Sequence, residues 1–184
     1  MKAWKMAVWL AGAAMVGPAF ADSAKEPAAA TSQSVDKDAR DFFGKAHLFN
    51  QRQVALGLMA LARAQTPEVR KLGEQVMHDA QKHDEELFKW AESQGLRMSD
   101  LGIGGSEDVS RAKLEKLAGK EFEQAFLTEV VQDASSLRDQ ENRTLDVAQL
   151  AKVHASMVKN ADVHAKRAQD LLNRDFSDKA PKKG

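Results

Sequence analysis

Residues 66–90 read TPEVRKLGEQVMHDAQKHDEELFKW. The stretch opens as a helix N-terminus does: Thr66 can cap, Pro67 suits the first helical position, and Glu68 lies beside the positive end of the helix. Val69, Gly73, Val76, Ala80, His83, Leu87 and Trp90 then recur at spacings of three and four, which puts them on one helical face. Gly95 supplies the stop. An amphipathic helix from Pro67 to Gln94 is predicted. Its register sorts the ligand-type residues of the stretch: His83 faces inward, Asp79 and Glu86 flank the seam, and His78, Asp84 and Glu85 lie farther out.

Moving toward the N-terminus, Phe42, Ala46, Phe49, Gln53, Leu56 and Ala60 form a second such stripe, which Val54 and Leu61 widen, with structure beginning near Asp36. A short turn joins these two helices, so they should pack antiparallel. Toward the C-terminus, LRMSDLGIGGS (96–106) is the longest connection, and a short helix from about Glu107 to Leu117 is expected after it. Gly119 then precedes a third long helix with Phe122, Phe126, Val130, Ala134, Leu137 and Leu145 facing inward. Neither Gly nor Pro occurs between Lys120 and Ala180, so the break before the last helix is placed by length alone, at 147–151. The last stripe is Leu150, Met157, Ala161, His164, Ala168 and Leu171. Four amphipathic helices without a strand signal predict an all-α, up-and-down four-helix bundle over residues 36–174, with a short extra helix in the central connection.

The ends of the chain read differently. Lys2 and Lys5 precede an apolar run from Met6 to Met15 that closes at Ala19-Phe20-Ala21, the pattern of an export signal cleaved after Ala21. Residues 22–35, DSAKEPAAATSQSV, read as a flexible linker, and 175–184 as a disordered charged tail. Cleavage leaves 163 of the 184 residues, enough for one core. The chain carries 27 basic and 27 acidic residues; loss of two lysines with the signal gives −2, so no field recruits nucleic acid. There is no cysteine, which excludes thiolate chemistry, c-type haem attachment and cysteine zinc sites. After the signal no apolar run approaches the roughly 18 residues of a membrane span. A periplasmic location is the expectation.

Catalytic patterns fail one by one. A di-iron bundle needs Glu-x-x-His from two helices, but the residues three before the histidines are Gly44, Gln75, Ala80, Ala151 and Ala161. HExxH and GxSxG are absent, and Gly102-Ile103-Gly104-Gly105 lacks the strand and the Lys-Ser/Thr of a phosphate loop. No catalytic and no cofactor-binding residue is assigned. A looser metal site is the remaining candidate: Asp79, His83 and Glu86 lie at i, i+4 and i+7 on one helix face, with His164 and Gln53 able to approach from neighbouring helices. Such mixed N and O donors suit zinc, copper or iron. The plainer reading makes His83 a seam residue beside Leu87, with Asp79 and Glu86 reaching water. His154 and His164, about 15 Å apart along one helix, cannot share an ion. Met59, Met77 and Met157 read as core filler.

Two stretches, AHLFNQRQVALGLMALARAQTPEVRKLGEQVMHDAQKHDEEL (46–87) and LAGKEFEQAFLTEVVQD (117–133) with NADVHAKRAQDLL (160–172), resemble the exported domain-of-unknown-function family DUF4142. The resemblance implies a ferritin-like four-helix bundle of the bacterial envelope, often labelled an outer-membrane protein. It also implies an interior pattern of Glu in the first helix, Asp-His in the second, and a His in each of the third and fourth. Here Gln53 stands for the Glu, Asp79 is kept, Ala80 and Ala134 replace two histidines, and His164 is kept. A site shifted to His83 would draw on Glu129 or Asp133 from the third helix. The preferred expectation is an exported, non-catalytic bundle without cofactor, acting through an envelope protein partner or as a structural or stress-related component. The alternative is a periplasmic metal-sequestering bundle using His83, His164, Asp79 and Glu86.

Overall fold

Pro67 and Gly95 bracket a helix as their chemistry requires. The structure, a computed structural model, describes residues 37–96, 109–139 and 147–177. The expected export signal, the linker, most of the glycine-rich connection, Leu145 and the last residues of the tail lie outside the described residues. Among the described residues five helices form: α1 (Lys37–Arg63), α2 (Pro67–Ser93), α3 (Val109–Leu114), α4 (Gly119–Asp139) and α5 (Ala148–Asp175). No strand occurs among the described residues, and none of their helices is long and apolar enough to cross a membrane. The all-α bundle with a short helix in its central connection is as the sequence predicts.

Local chemistry sets the helix ends. Gly95 has φ of +66°, and the Gly95 and Leu96 N–H groups donate to the carbonyls of Glu92 (2.9 Å) and Ala91 (3.0 Å), a Schellman close to α2. At the other end, Thr66 occupies the N-cap position but does not cap with its hydroxyl. That hydroxyl instead donates to Glu123 Oε2 (2.8 Å), while Glu123 Oε1 accepts from the N–H groups of Gln65 (2.7 Å) and Thr66 (2.6 Å). A buried carboxylate on α4 thus satisfies the α1–α2 turn and sits at the positive end of α2. The expected break at 147–151 is too late: α5 begins at Ala148, with Val147 as its N-cap. Without Gly or Pro in that region, the sequence offers nothing to mark it.

Cross-helix pairs fix the directions. Between α2 and α5, Gln75 meets Arg167, Asp79 meets His164, and His83 meets Asn160 and Ser156, so one series rises as the other falls. Between α1 and α4, Gln53 meets Asp133 while Gln65, just past α1, meets Glu123. The helices paired by these contacts are therefore antiparallel. Trp90 near the end of α2 packs on Phe43 near the start of α1 (centroids 5.9 Å apart), yet Arg63 at the end of α1 donates to the Leu117 carbonyl just before α4 (3.1 Å). The central connection accordingly returns the chain to the opposite end of the bundle, and α2 and α4 run in the same direction. One long crossover of this kind is the ferritin-like connectivity.

The interior divides into three zones. One apolar cluster, with Leu56, Val69, Leu72, Phe122, Phe126, Leu127 and Leu171, fills the end near the α1–α2 turn. A second, with Phe43, Leu87, Trp90, Leu137, Leu150 and Met157, fills the opposite end. Between them lies a polar layer containing buried Asn50, Gln53, His83, Asp133 and His164. Gly57 and Gly73 bring α1 and α2 together beside this layer: a Cβ at Gly57 would stand 2.5 Å from the Gly73 carbonyl oxygen and 2.6 Å from Met77 Cβ. Leu61, read as part of the inward stripe, is 38% exposed instead; the tight α1–α2 contact runs through the small residues and turns it outward.

Candidate functional site

Small residues open space in the polar layer. Ala80 on α2 and Ala161 on α5 lie where bulkier side chains would close the gap, and a cleft of about 20 Å³ remains between α1, α2 and α5. That is room for one water or one ion. Asn50, Gln53, Asp79, His83, Met157 and His164 are among the residues that line it.

Each imidazole is held by its own contacts. His164 Nε2 lies 3.1 Å from Asp79 Oδ2, so a neutral His164 carries its proton on Nε2 and its lone pair on Nδ1. His83 Nε2 lies 3.1 Å from Ser156 Oγ and 3.4 Å from Asn160 Nδ2. The Asn160 amide nitrogen can only donate, which makes His83 Nε2 the acceptor and leaves the proton on Nδ1. Burial lowers the pKa of His83, against the opposing pull of the Asp79 and Glu86 carboxylates and with a smaller contribution from Lys82. Burial lowers that of His164 too, although Asp79 opposes it by charge and by hydrogen bond. Both imidazoles are therefore neutral at neutral pH, the form in which histidine binds a metal.

Of the four candidate ligands, Asp79, His83 and His164 border the one cleft. Glu86 does not line it and reaches His83 through its charge. Gln53 is on the cleft, but its amide nitrogen is given to Asp133 Oδ2 (2.6 Å). The two third-helix carboxylates are held elsewhere: Arg52 pairs with Glu129 (2.8 Å) and Asp133 (3.1 Å). Among the described residues no three His, Asp or Glu side chains converge closely enough to enclose an ion.

A second polar cluster was not legible from the helical register. Asp84, expected on the outer side of α2, is buried and accepts from Asn50 Nδ2 (2.9 Å) and Gln51 Nε2 (3.4 Å), with His47 Nδ1 at 3.0 Å. His47 is buried beside it, stacking on Phe43 and meeting Phe88 edge-on. The turn of α1 toward α2 explains both, because close packing at Gly57 draws this face of α2 into the interface. The available signal was on α1: His47, Asn50 and Gln53 put three polar residues along a buried stripe, and buried polar groups require partners. Asn50 joins the two clusters. Its Nδ2 serves Asp84, while its Oδ1 is buried without a hydrogen-bond partner, and the residue lines the cleft.

A family model described as Domain of unknown function (DUF4142) matches residues 24–171, and the chain belongs to that family. No curated protein matches. Among solved structures, a DUF305 fragment from Deinococcus radiodurans superposes with a TM-score of 0.65 at 14% identity, over 76% of this chain and 97% of that one. A DUF305 protein from Streptomyces coelicolor gives 0.62 at 19% identity, over 74% and 93%. CopM in a silver-bound form gives 0.63 at 14% identity, over 75% and 97%. At these identities the likeness is one of fold.

Proposed function

For this member of the DUF4142 family, we propose an exported, non-catalytic helical bundle of the bacterial envelope that binds one transition-metal ion as cargo. His83 and His164 would be its nitrogen donors, and Asp79 would orient His164 by fixing its tautomer, the usual arrangement for a metal-binding histidine. The observation that carries this reading is the coincidence of two buried, neutral imidazoles on one ion-sized cleft with an unpartnered buried carbonyl oxygen, Asn50 Oδ1. That oxygen needs an electropositive partner, which a cation or its bound water supplies. A bundle of the same fold that holds silver supports the reading, as does the export signal read in residues 1–21. The protein-contact reading has less behind it. The exposed large apolar side chains among the described residues are Leu58, Leu61 and Val163, split between α1 and α5.

A hydrolytic role has little to build on. Ser156 meets the imidazole of His83, but it sits within α5, where backbone N–H groups are committed to the helix and cannot form an oxyanion hole. A cleft of about 20 Å³ admits no acyl substrate.

The test is metal analysis of purified protein loaded with silver, copper or zinc and then desalted. One ion per chain is expected, falling to background in the His83→Ala/His164→Ala double variant. Wild-type protein that retains no ion, or a double variant that retains as much, would overturn the proposal.

A further inference from the structure

Met157 changes what kind of ion the cleft suits. It lines the same cleft as the two histidines and is almost wholly buried, at 2% exposure. Resting on the function proposed above, we infer that the cargo is a soft monovalent ion, copper(I) or silver(I), and that the Met157 thioether is the third donor beside His83 and His164.

The donor inventory leads there. Hard cations want six or more oxygens, and structural zinc wants four ligands with enough anionic character to offset two charges. The carboxylates of this layer are already engaged: Asp79 with His164, Glu129 and Asp133 with Arg52, and Asp84 with His47, Asn50 and Gln51. With no cysteine in the chain, the remaining soft donor at the cleft is a neutral thioether. Thioether and imidazole together favour copper(I) over the harder divalent ions, and monovalent ions with filled d shells accept two or three ligands. A set of two imidazoles and one sulfur meets that need where no group of three His, Asp or Glu among the described residues exists.

Charge points the same way. Asp79 is the carboxylate that lines the cleft, and imidazole and thioether donors bring no negative charge of their own. A single positive charge placed there is balanced by Asp79 on the cleft itself, whereas a divalent ion must draw its second countercharge from Glu86 outside the cleft, a costlier arrangement in a low-dielectric interior.

The experiment is competition against a copper(I) chelator under reducing conditions, run beside silver(I) and zinc(II) titrations of the wild-type protein and of Met157→Leu, Met59→Leu and the His83→Ala/His164→Ala double variant. Leucine preserves the volume at 157, and circular dichroism checks that each variant is folded. Copper(I) and silver(I) should bind at one per chain and more tightly than zinc(II), with Met157→Leu weakening them by roughly tenfold or more. Zinc(II) affinity should be unmoved by Met157→Leu, and Met59→Leu should bind as wild type does. X-ray absorption of the copper(I)-loaded protein should show one sulfur among nitrogen neighbours, which also holds if a variant misfolds. If zinc(II) binds as tightly, if Met157→Leu binds copper(I) unchanged, or if sulfur is absent from the copper shell, the soft-ion inference is wrong while the metal-binding function stands. If no ion binds, both fall.

Discussion

The two ends of this bundle and its middle solve the same packing problem with opposite chemistry. At the ends, Phe122, Phe126 and Leu127, or Phe43, Leu87 and Trp90, lie at or near zero exposure among apolar neighbours. Each such side chain contributes about 1.5–3 kcal/mol by leaving water. In the middle, Asn50, Gln53, His83, Asp133 and His164 are also buried, and most of what they gain is lost to desolvation and recovered only by pairing. A core built for stability alone would continue the apolar clusters through this layer, since replacing well-paired buried polar groups by apolar ones is often neutral or stabilising. The contrast teaches that the ends hold the fold and the middle has another task.

Truncations can break that contrast. Phe122→Ala, in the centre of one apolar end, should cost about 3–5 kcal/mol, measured by urea unfolding. In the middle, Asp84→Ala strands the Asn50 amide and takes the partner from His47, and should cost about 2–3 kcal/mol. Asp84→Asn keeps an acceptor and should cost less. If Asp84→Ala proved as damaging as Phe122→Ala, the polar layer would be a structural element of the same rank as the ends.

The ends were also the legible part of the molecule. Val69, Val76, Leu87 and Trp90 repeat with helical period, and each is buried as its register predicts, because apolar burial is set by the helix alone. The middle depends on which helix meets which. Asp84 is outward by the register of α2 and inward once Gly57 and Gly73 let α1 approach, a fact of tertiary packing that no single helix records. The Thr66 hydroxyl fails to cap because Glu123, 57 residues away, competes for it. Of the candidate ligands, Asp79 and His83 could be grouped from their spacing on α2. His164 joins them only through the antiparallel α2–α5 contact, and Met157 looked like core filler because apolar lining and soft donor are the same side chain.

His83→Leu sharpens the comparison in the other direction. The substitution nearly conserves volume and removes an imidazole whose partners, Ser156 and Asn160, are only half-buried and can turn to water. Its cost at neutral pH should be under about 1.5 kcal/mol, well below Phe122→Ala. A loss as large as that of the apolar truncation would make His83 a structural residue first.

The smallest effect expected is a pH dependence confined to the middle. His83 and His164 have folded-state pKa values below their ordinary value of 6.5, chiefly because burial disfavours the charged ring. Above 6.5 both are neutral folded or unfolded, and they add no proton-linked penalty. As pH falls below 6.5 the unfolded chain takes up protons that the folded protein refuses, so stability falls, and the loss levels off only below the folded pKa values. The carboxylates facing these rings, Asp79 and Glu86 for His83 and Asp79 for His164, limit the depression, while Lys82 and Arg167 add to it. Unfolding free energies measured from about pH 8 down to about pH 5 should therefore decline, with most of the change below 6.5. The His83→Leu/His164→Leu variant should decline less, because it has lost the two groups that must charge on unfolding. Equal slopes in the two proteins would mean that the polar layer is open enough to water for its histidines to titrate normally, and the division between dry ends and a desolvated middle would have to be redrawn.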